Sequence, residues 1–142
     1  MSVTDFNNLN GPLPWEIVKL PSLDHINLGH NALSGTIPPE FGQFSKVLLY
    51  DNNLVGTIPV ELFNGGGLER SSLKQEGSID LGRNFLSGTI PTEVGASSLS
   101  WLSLYSNNLS GSVPLELMRA ESLRWLILFD NDMVCMTNAV FF

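Results

Sequence analysis

Two histidines, one cysteine, a glycine triplet and a set of carboxylates are the residues with which this chain could do chemistry. Their spacing does not support it. His25 and His30 fall on one strand and its following turn, five residues apart, and should not share a metal ion. No Cys–His or Ser–His–Asp arrangement is signalled, and Cys135 reads as a packing residue. Gly65, Gly66 and Gly67 lack the Lys-Ser/Thr and the strand-to-helix context of a phosphate loop. Asn108-Leu109-Ser110 is a lone glycosylation sequon, relevant only to a secreted chain. The expectation is therefore a non-enzymatic protein with no cofactor and no metal site.

The bulk composition narrows the class further. The 142 residues are one domain's worth, and 43% hydrophobic content is enough for a real core. Seven basic against fourteen acidic residues give a net charge of −7, which argues against nucleic acid as a partner. The apolar run Trp125-Leu126-Ile127-Leu128-Phe129 is far short of the roughly 20 residues of a membrane helix, so membrane insertion is not expected. Met1-Ser2-Val3-Thr4-Asp5 does not read as a signal peptide, and one cysteine makes no internal disulfide.

Self-similarity decides the architecture. An octapeptide runs from Asn7 to Pro14 and returns at Asn31–Pro38, Asn52–Pro59, Asn84–Pro91 and Asn107–Pro114, with a decayed copy from Asn131. The intervals between the leading asparagines are 24, 21, 32, 23 and 24, the period of a solenoid. A second pattern leads into each asparagine. It reads Leu23, Ile26, Leu28, Asn31, then Phe44, Val47, Leu49, Asn52, then Leu99, Leu102, Leu104, Asn107, then Leu123, Leu126, Leu128, Asn131. The apolar pair two apart predicts a short strand with alternate residues inward. The proline after each motif glycine stops extended structure and opens a helical turn.

Written out, the motif is L-x-x-L-x-L-x-x-N-x-L-x-G-x-I-P, and over residues 7 to about 134 it resembles the plant-type leucine-rich repeat. The resemblance implies an α/β fold. It is a right-handed solenoid of about five to six repeats, with a parallel sheet on the concave face and short helical or 3₁₀ segments on the convex face. Residues 1–142 form a single domain, with repeats near 7–22, 23–43, 44–67, 68–98, 99–122 and a degenerate 123–142. Proteins of this type include the ectodomains of receptor-like kinases and receptor-like proteins, and polygalacturonase inhibitors. That likeness implies a protein, peptide or glycan ligand on the concave face, and an extracellular or membrane-tethered parent. A cytosolic scaffold, or a structural slice of a longer solenoid stacked on further repeats, is the alternative.

Inside the solenoid, Ile26, Val47, Ile79, Leu102 and Leu126 should stack in one column. Leu28, Leu49, Leu81, Leu104 and Leu128 should form a second, and Leu33, Leu54, Leu86 and Leu109 a third. Asn31, Asn52, Asn84, Asn107 and Asn131 should be buried and hydrogen-bonded to backbone as a ladder. Glu16, Glu40, Glu61, Glu93 and Glu116 should open the convex turns; fanning outward, they cannot converge on one cation.

Strand alternation sets the outward residues. They are His25, Lys46, Ser78, Trp101 and Trp125, then Asn27, Leu48, Asp80, Ser103 and Ile127, then Gly29, Tyr50, Gly82, Tyr105 and Phe129. Five of these fifteen are aromatic in a chain only 9% aromatic, which marks this face as a binding surface. The candidate ligand-binding residues are Tyr50, Trp101, Tyr105, Trp125, Phe129, Lys46, Asp80 and Arg83, with Asp51, Arg83 and Asp130 as a polar rim.

Three departures from the pattern complete the reading. The third repeat is short by three residues, between Pro38 and Asn52, with Phe44 serving two apolar positions. Eight extra residues within Glu69–Ser78 should bulge as a loop before the fourth strand. At the ends, Phe6–Leu20 with Trp15 should partly close one side, and Met133, Val134, Cys135, Met136, Val140, Phe141 and Phe142 either fold over the other or mark a fragment of a longer array.

Overall fold

The computed structural model describes residues 7–64 and 77–134. Along them the chain lays down strands β1 (Asn10–Pro12), β2 (His25–Asn27), β3 (Ala32–Gly35), β4 (Lys46–Leu48), β5 (Asn53–Gly56), β6 (Gly77–Asp80), β7 (Phe85–Gly88), β8 (Leu99–Ser103), β9 (Asn108–Ser112), β10 (Trp125–Ile127) and β11 (Asp132–Val134). Even-numbered strands from β2 to β10 pair in parallel as one five-stranded sheet, the concave face of the solenoid. The odd-numbered strands form a second, six-stranded sheet that the repeat pattern did not announce.

Two corners per repeat separate these sheets. The residue before each ladder asparagine is left-handed: His30, Asp51, Arg83, Ser106 and Asp130 have φ of 51, 56, 52, 49 and 59°. For residues other than glycine this conformation costs roughly 1–3 kcal/mol each, so the bonds around it must hold it in place. The second corner is the motif glycine at Gly35, Gly56, Gly88 and Gly111, with φ between 76 and 86°. Beyond it, Pro14, Pro38, Pro59, Pro91 and Pro114 each accept a backbone hydrogen bond three residues on, opening the convex turns. These are 3₁₀ at Trp15–Lys19, Pro39–Gln43, Thr92–Ala96 and Leu115–Arg119, and α-helical at Glu61–Asn64. The five motif glutamates all lie in the first turn of these segments, as expected.

The asparagine ladder supplies the holding bonds. Asn84 Oδ1 accepts from the Leu54 N–H at 3.0 Å, and its Nδ2 donates to the carbonyls of Leu49, Leu81 and Gly82 at 3.0, 3.1 and 3.2 Å. Asn52 and Asn107 repeat the scheme, so each amide ties its own strand to the repeat before it. Asn31 and Asn131 make the same kind of bonds but are only half-buried, near the two ends of the described stack.

The three apolar columns form one continuous core. Each Leu or Ile buried there contributes about 1.5–3 kcal/mol before the chain-entropy cost. Leu126 is the departure: it is 41% exposed, whereas Ile26, Val47, Ile79 and Leu102 are 0–2%. It lies on the outermost described strand of the concave sheet, which has a neighbouring strand on one side only. Phe44 is buried edge-to-face against Phe41 at 5.5 Å, which lets the short repeat close.

Two expectations are corrected. Gly77 and Ser78 belong to strand β6, not to the inserted loop; residues 69–76 of that insertion lie outside the described residues. Trp15 does not close the end of the core. It is 46% exposed with the Lys19 ammonium 4.5 Å above its ring, while Ile17 and Val18 pack inward. Phe6, 65–68, Cys135, Met136 and 140–142 are also outside the described residues. Val134 stays exposed and Met133 packs against the core.

Candidate functional site

Strand register brings the outward residues together in rows. Trp125 pairs with Trp101, Trp101 with Ser78, Ser78 with Lys46 and Lys46 with His25. The Trp101 and Trp125 rings lie 5.7 Å apart at 39°, and those of Tyr105 and Phe129 lie 5.1 Å apart at 30°. Trp125 is 60% and Phe129 65% exposed, while Trp101 and Tyr105 are half-buried. The four rings thus form two short rows on the last two strands of this sheet.

Between the rows lie Asp80, Ser103 and Ile127, register partners across β6, β8 and β10. Ser103 lies two residues from both Trp101 and Tyr105 on the same side of β8, and it is only 1% exposed although the strand turns it outward. Asp80 is its register partner on β6. Burial is the largest influence on the Asp80 carboxyl and holds its pKa above the ordinary value; the Gly82 N–H, donated to Asp80 Oδ1 at 3.0 Å, and the Ser103 hydroxyl pull it down. The Tyr105 phenol is also raised, first by burial and then by the negative charge of Asp80; Arg83 opposes this and Asp51 adds to it.

The strand exits carry a linked polar rim. His30 Nδ1 meets Asp51 Oδ2 at 2.5 Å, Arg83 Nε lies 3.5 Å from Asp51 Oδ1, and Ser106 donates to Asp130 at 2.7 Å. Asp51, Arg83, Tyr105, Ser106 and Asp130 line an open groove beside the aromatic rows. Among the described residues no three His, Cys, Asp or Glu side chains gather as metal ligands.

A Leucine Rich Repeat family model matches residues 22–44 and 98–120. The chain is 33% identical to Receptor-like protein 32 of Arabidopsis thaliana over 126 residues, covering 88% of this chain and 14% of that protein. It is 36% identical to the Arabidopsis thaliana Receptor-like kinase TMK2 over 133 residues, covering 89% of this chain and 14% of the relative. Among solved structures, a TDR receptor superimposes with a TM-score of 0.80 at 33% identity, over 93% of this chain and 22% of that one. The Arabidopsis receptor kinase HAESA, solved with the peptide hormone IDA and the co-receptor SERK1, gives 0.77 at 36% identity, over 91% and 21%.

The chain belongs to the plant-type leucine-rich repeat family. It spans about one seventh of the length of the curated relatives it matches.

Within this leucine-rich-repeat solenoid, four of the eight expected ligand-binding residues come together: Trp101, Tyr105, Trp125 and Phe129. Asp80 adjoins them across the sheet. Lys46 is exposed two strands from Trp101, and Arg83 is held by Asp51 in the rim. Tyr50 is not part of the cluster. It lies two strand positions from Tyr105, with Gly82 between them, and meets His30 edge-on at 4.9 Å. Asn108 is exposed on β9 of the second sheet, off the concave face. Sequence reasoning missed the role of Gly29 and Gly82, which lie beneath the rings of Tyr50 and Tyr105. It also missed the exposed pair Val55 and Phe85, register partners on β5 and β7.

Proposed function

We propose that this chain is a non-catalytic recognition segment of a receptor-like protein, and that it binds a peptide or a protein segment on its concave face. The observation that carries the reading is the pair of aromatic rows, Trp101 with Trp125 and Tyr105 with Phe129, held side by side on adjacent strands. Large, rigid rings on a fixed sheet bind with little ordering cost, and aromatic residues dominate the energetics of most interfaces. HAESA, a structural neighbour, was solved with a peptide hormone, which favours a peptide over a glycan here. The parent protein on this reading is extracellular or membrane-tethered.

A displayed peptide library selected on the full chain tests this. Trp101→Ala and Trp125→Ala should each weaken binding of the selected peptides about tenfold or more, with the circular dichroism spectrum unchanged. Wild-type affinity in both variants contradicts the reading.

A second reading, a slice of a longer solenoid with no ligand of its own, has the exposed Leu126 in its favour. It predicts concentration-dependent self-association in sedimentation and no peptide selected above background.

A further inference from the structure

We propose that Asp80, Trp101 and Tyr105 form a cation subsite that takes a lysine or arginine side chain of the bound peptide. This rests on the recognition reading above and adds a ligand chemistry to it.

Along β8 the outward residues alternate aromatic, small, aromatic: Trp101, Ser103, Tyr105. Successive outward residues on a strand stand about 6.5–7 Å apart, so the Trp101 and Tyr105 rings flank Ser103, which is only 1% exposed and has Ile127 as its register partner on β10. Asp80, the register partner of Ser103 on β6, is half-buried and is the charged group this part of the face presents beside the rings. The Tyr105 ring lies over Gly82, whose N–H is donated to Asp80, so carboxylate, glycine and ring are one contiguous unit. Aromatic faces with a carboxylate beside them suit an ammonium or a guanidinium, which gains both cation–π and charge-assisted hydrogen bonding.

The same unit occurs earlier without the charge. Asn27 Oδ1 accepts the Gly29 N–H at 3.2 Å, and the Tyr50 ring lies over Gly29. An amide therefore suffices to hold this turn. The carboxylate at Asp80 is not needed for the backbone, and as a half-buried charge it is costly there. It is also the copy that stands beside a tryptophan-bearing strand; the register partners of Asn27 and its neighbour His25 are Leu48 and Lys46. The surrounding charges favour a cation. Asp51 and Asp130 lie at the rim, Arg83 is engaged by Asp51, Lys46 is on β4, and the whole chain carries −7.

The test uses capped pentapeptides with a central arginine, lysine, norleucine or glutamate between leucines. Binding to the full chain is read from chemical-shift titration. The arginine and lysine peptides should bind about tenfold more tightly than the norleucine peptide, and the advantage should shrink with added salt. Asp80→Asn should abolish that advantage, bringing the arginine and lysine peptides to the level of the norleucine peptide, whereas Trp101→Ala should weaken all four. Equal binding of the arginine and norleucine peptides, or a preference that survives Asp80→Asn, overturns the subsite and leaves the recognition reading standing. Failure of every peptide to bind wild-type chain overturns both. Tighter binding of the neutral oligosaccharide cellohexaose than of any peptide, unaffected by Asp80→Asn, also overturns the subsite and makes the face a glycan surface.

Discussion

The ring of Tyr105 lies across Gly82, so closely that a Cβ on that glycine would come within 2.1 Å of the ring. Tyr50 covers Gly29 in the same way, with 2.6 Å to the added carbon. In both cases an aromatic side chain reaches back over the preceding strand of the concave sheet, where the absence of a side chain lets it lie flat. In the first case the covered glycine, Gly82, also donates its N–H to Asp80.

Gly82→Ala should therefore displace Tyr105 from its seat. The expected cost is roughly 1–3 kcal/mol, that of overpacking a filled site, read as a lowered denaturant midpoint. The contact of Tyr105 with Phe129 should weaken with it, and peptide binding should fall. Gly29→Ala should cost a similar amount of stability by moving Tyr50, yet leave binding intact, because Tyr50 stands apart from the aromatic rows.

Asn84→Ala should be among the most damaging single changes. It removes four hydrogen bonds, leaves the buried Leu54 N–H without its partner and takes one of two side-chain donors from the carbonyls of Leu49 and Leu81, which Asn52 and Asn107 still serve. Unsatisfied buried groups cost about 1–3 kcal/mol each, and part of that is recovered by relaxation. A net loss of roughly 3 kcal/mol is expected, measured by urea unfolding at fixed pH. The same change at Asn31, half-buried near one end of the described stack, should cost less.

The sheet, the three apolar columns and the asparagine ladder were legible because each repeats its residue type at the repeat period. The second sheet was not. Its strands β3, β5, β7 and β9 offer one buried leucine apiece, as in Asn53-Leu54-Val55-Gly56, and their direction is set by two left-handed corners. At Arg83 and Ser106 the residue type gives no hint of such a corner. The glycine seats were equally hidden. Gly29 and Gly82 are occupied by rings 21 and 23 residues downstream, so no local pattern signals them. Alternation placed Ser103 outward correctly, but its burial follows from its surroundings on the face, which alternation does not report.

Asp80 gives the stability a pH dependence of unusual sign for a carboxylate. Its pKa is raised in the folded chain, chiefly by burial, above the ordinary 3.8. The folded state therefore holds this proton more tightly than the unfolded state. Its contribution is fully present below pH 3.8 and is lost as pH rises through the folded value. Asp80→Asn should be more stable than wild type at neutral pH, with the difference closing in acid. The phenol of Tyr105 should report the same charge: it should titrate at lower pH in Asp80→Asn yet stay above the ordinary 10.0, because burial is its larger cause. Tyrosinate absorbance in a Tyr50→Phe background reads it directly, since the chain has two tyrosines.

The central claim is that ligand meets the aromatic rows of the concave sheet. The chain's three tryptophans divide for this purpose: Trp101 and Trp125 are in one row, and Trp15 is on a convex turn with Lys19 over its ring. Titrating a library-selected peptide into the full chain and following the three indole N–H resonances is the most direct measurement. The account predicts that the signals of Trp101 and Trp125 move together and saturate while that of Trp15 stays fixed. A peptide that binds while leaving both unmoved, or that moves Trp15 alone, contradicts it.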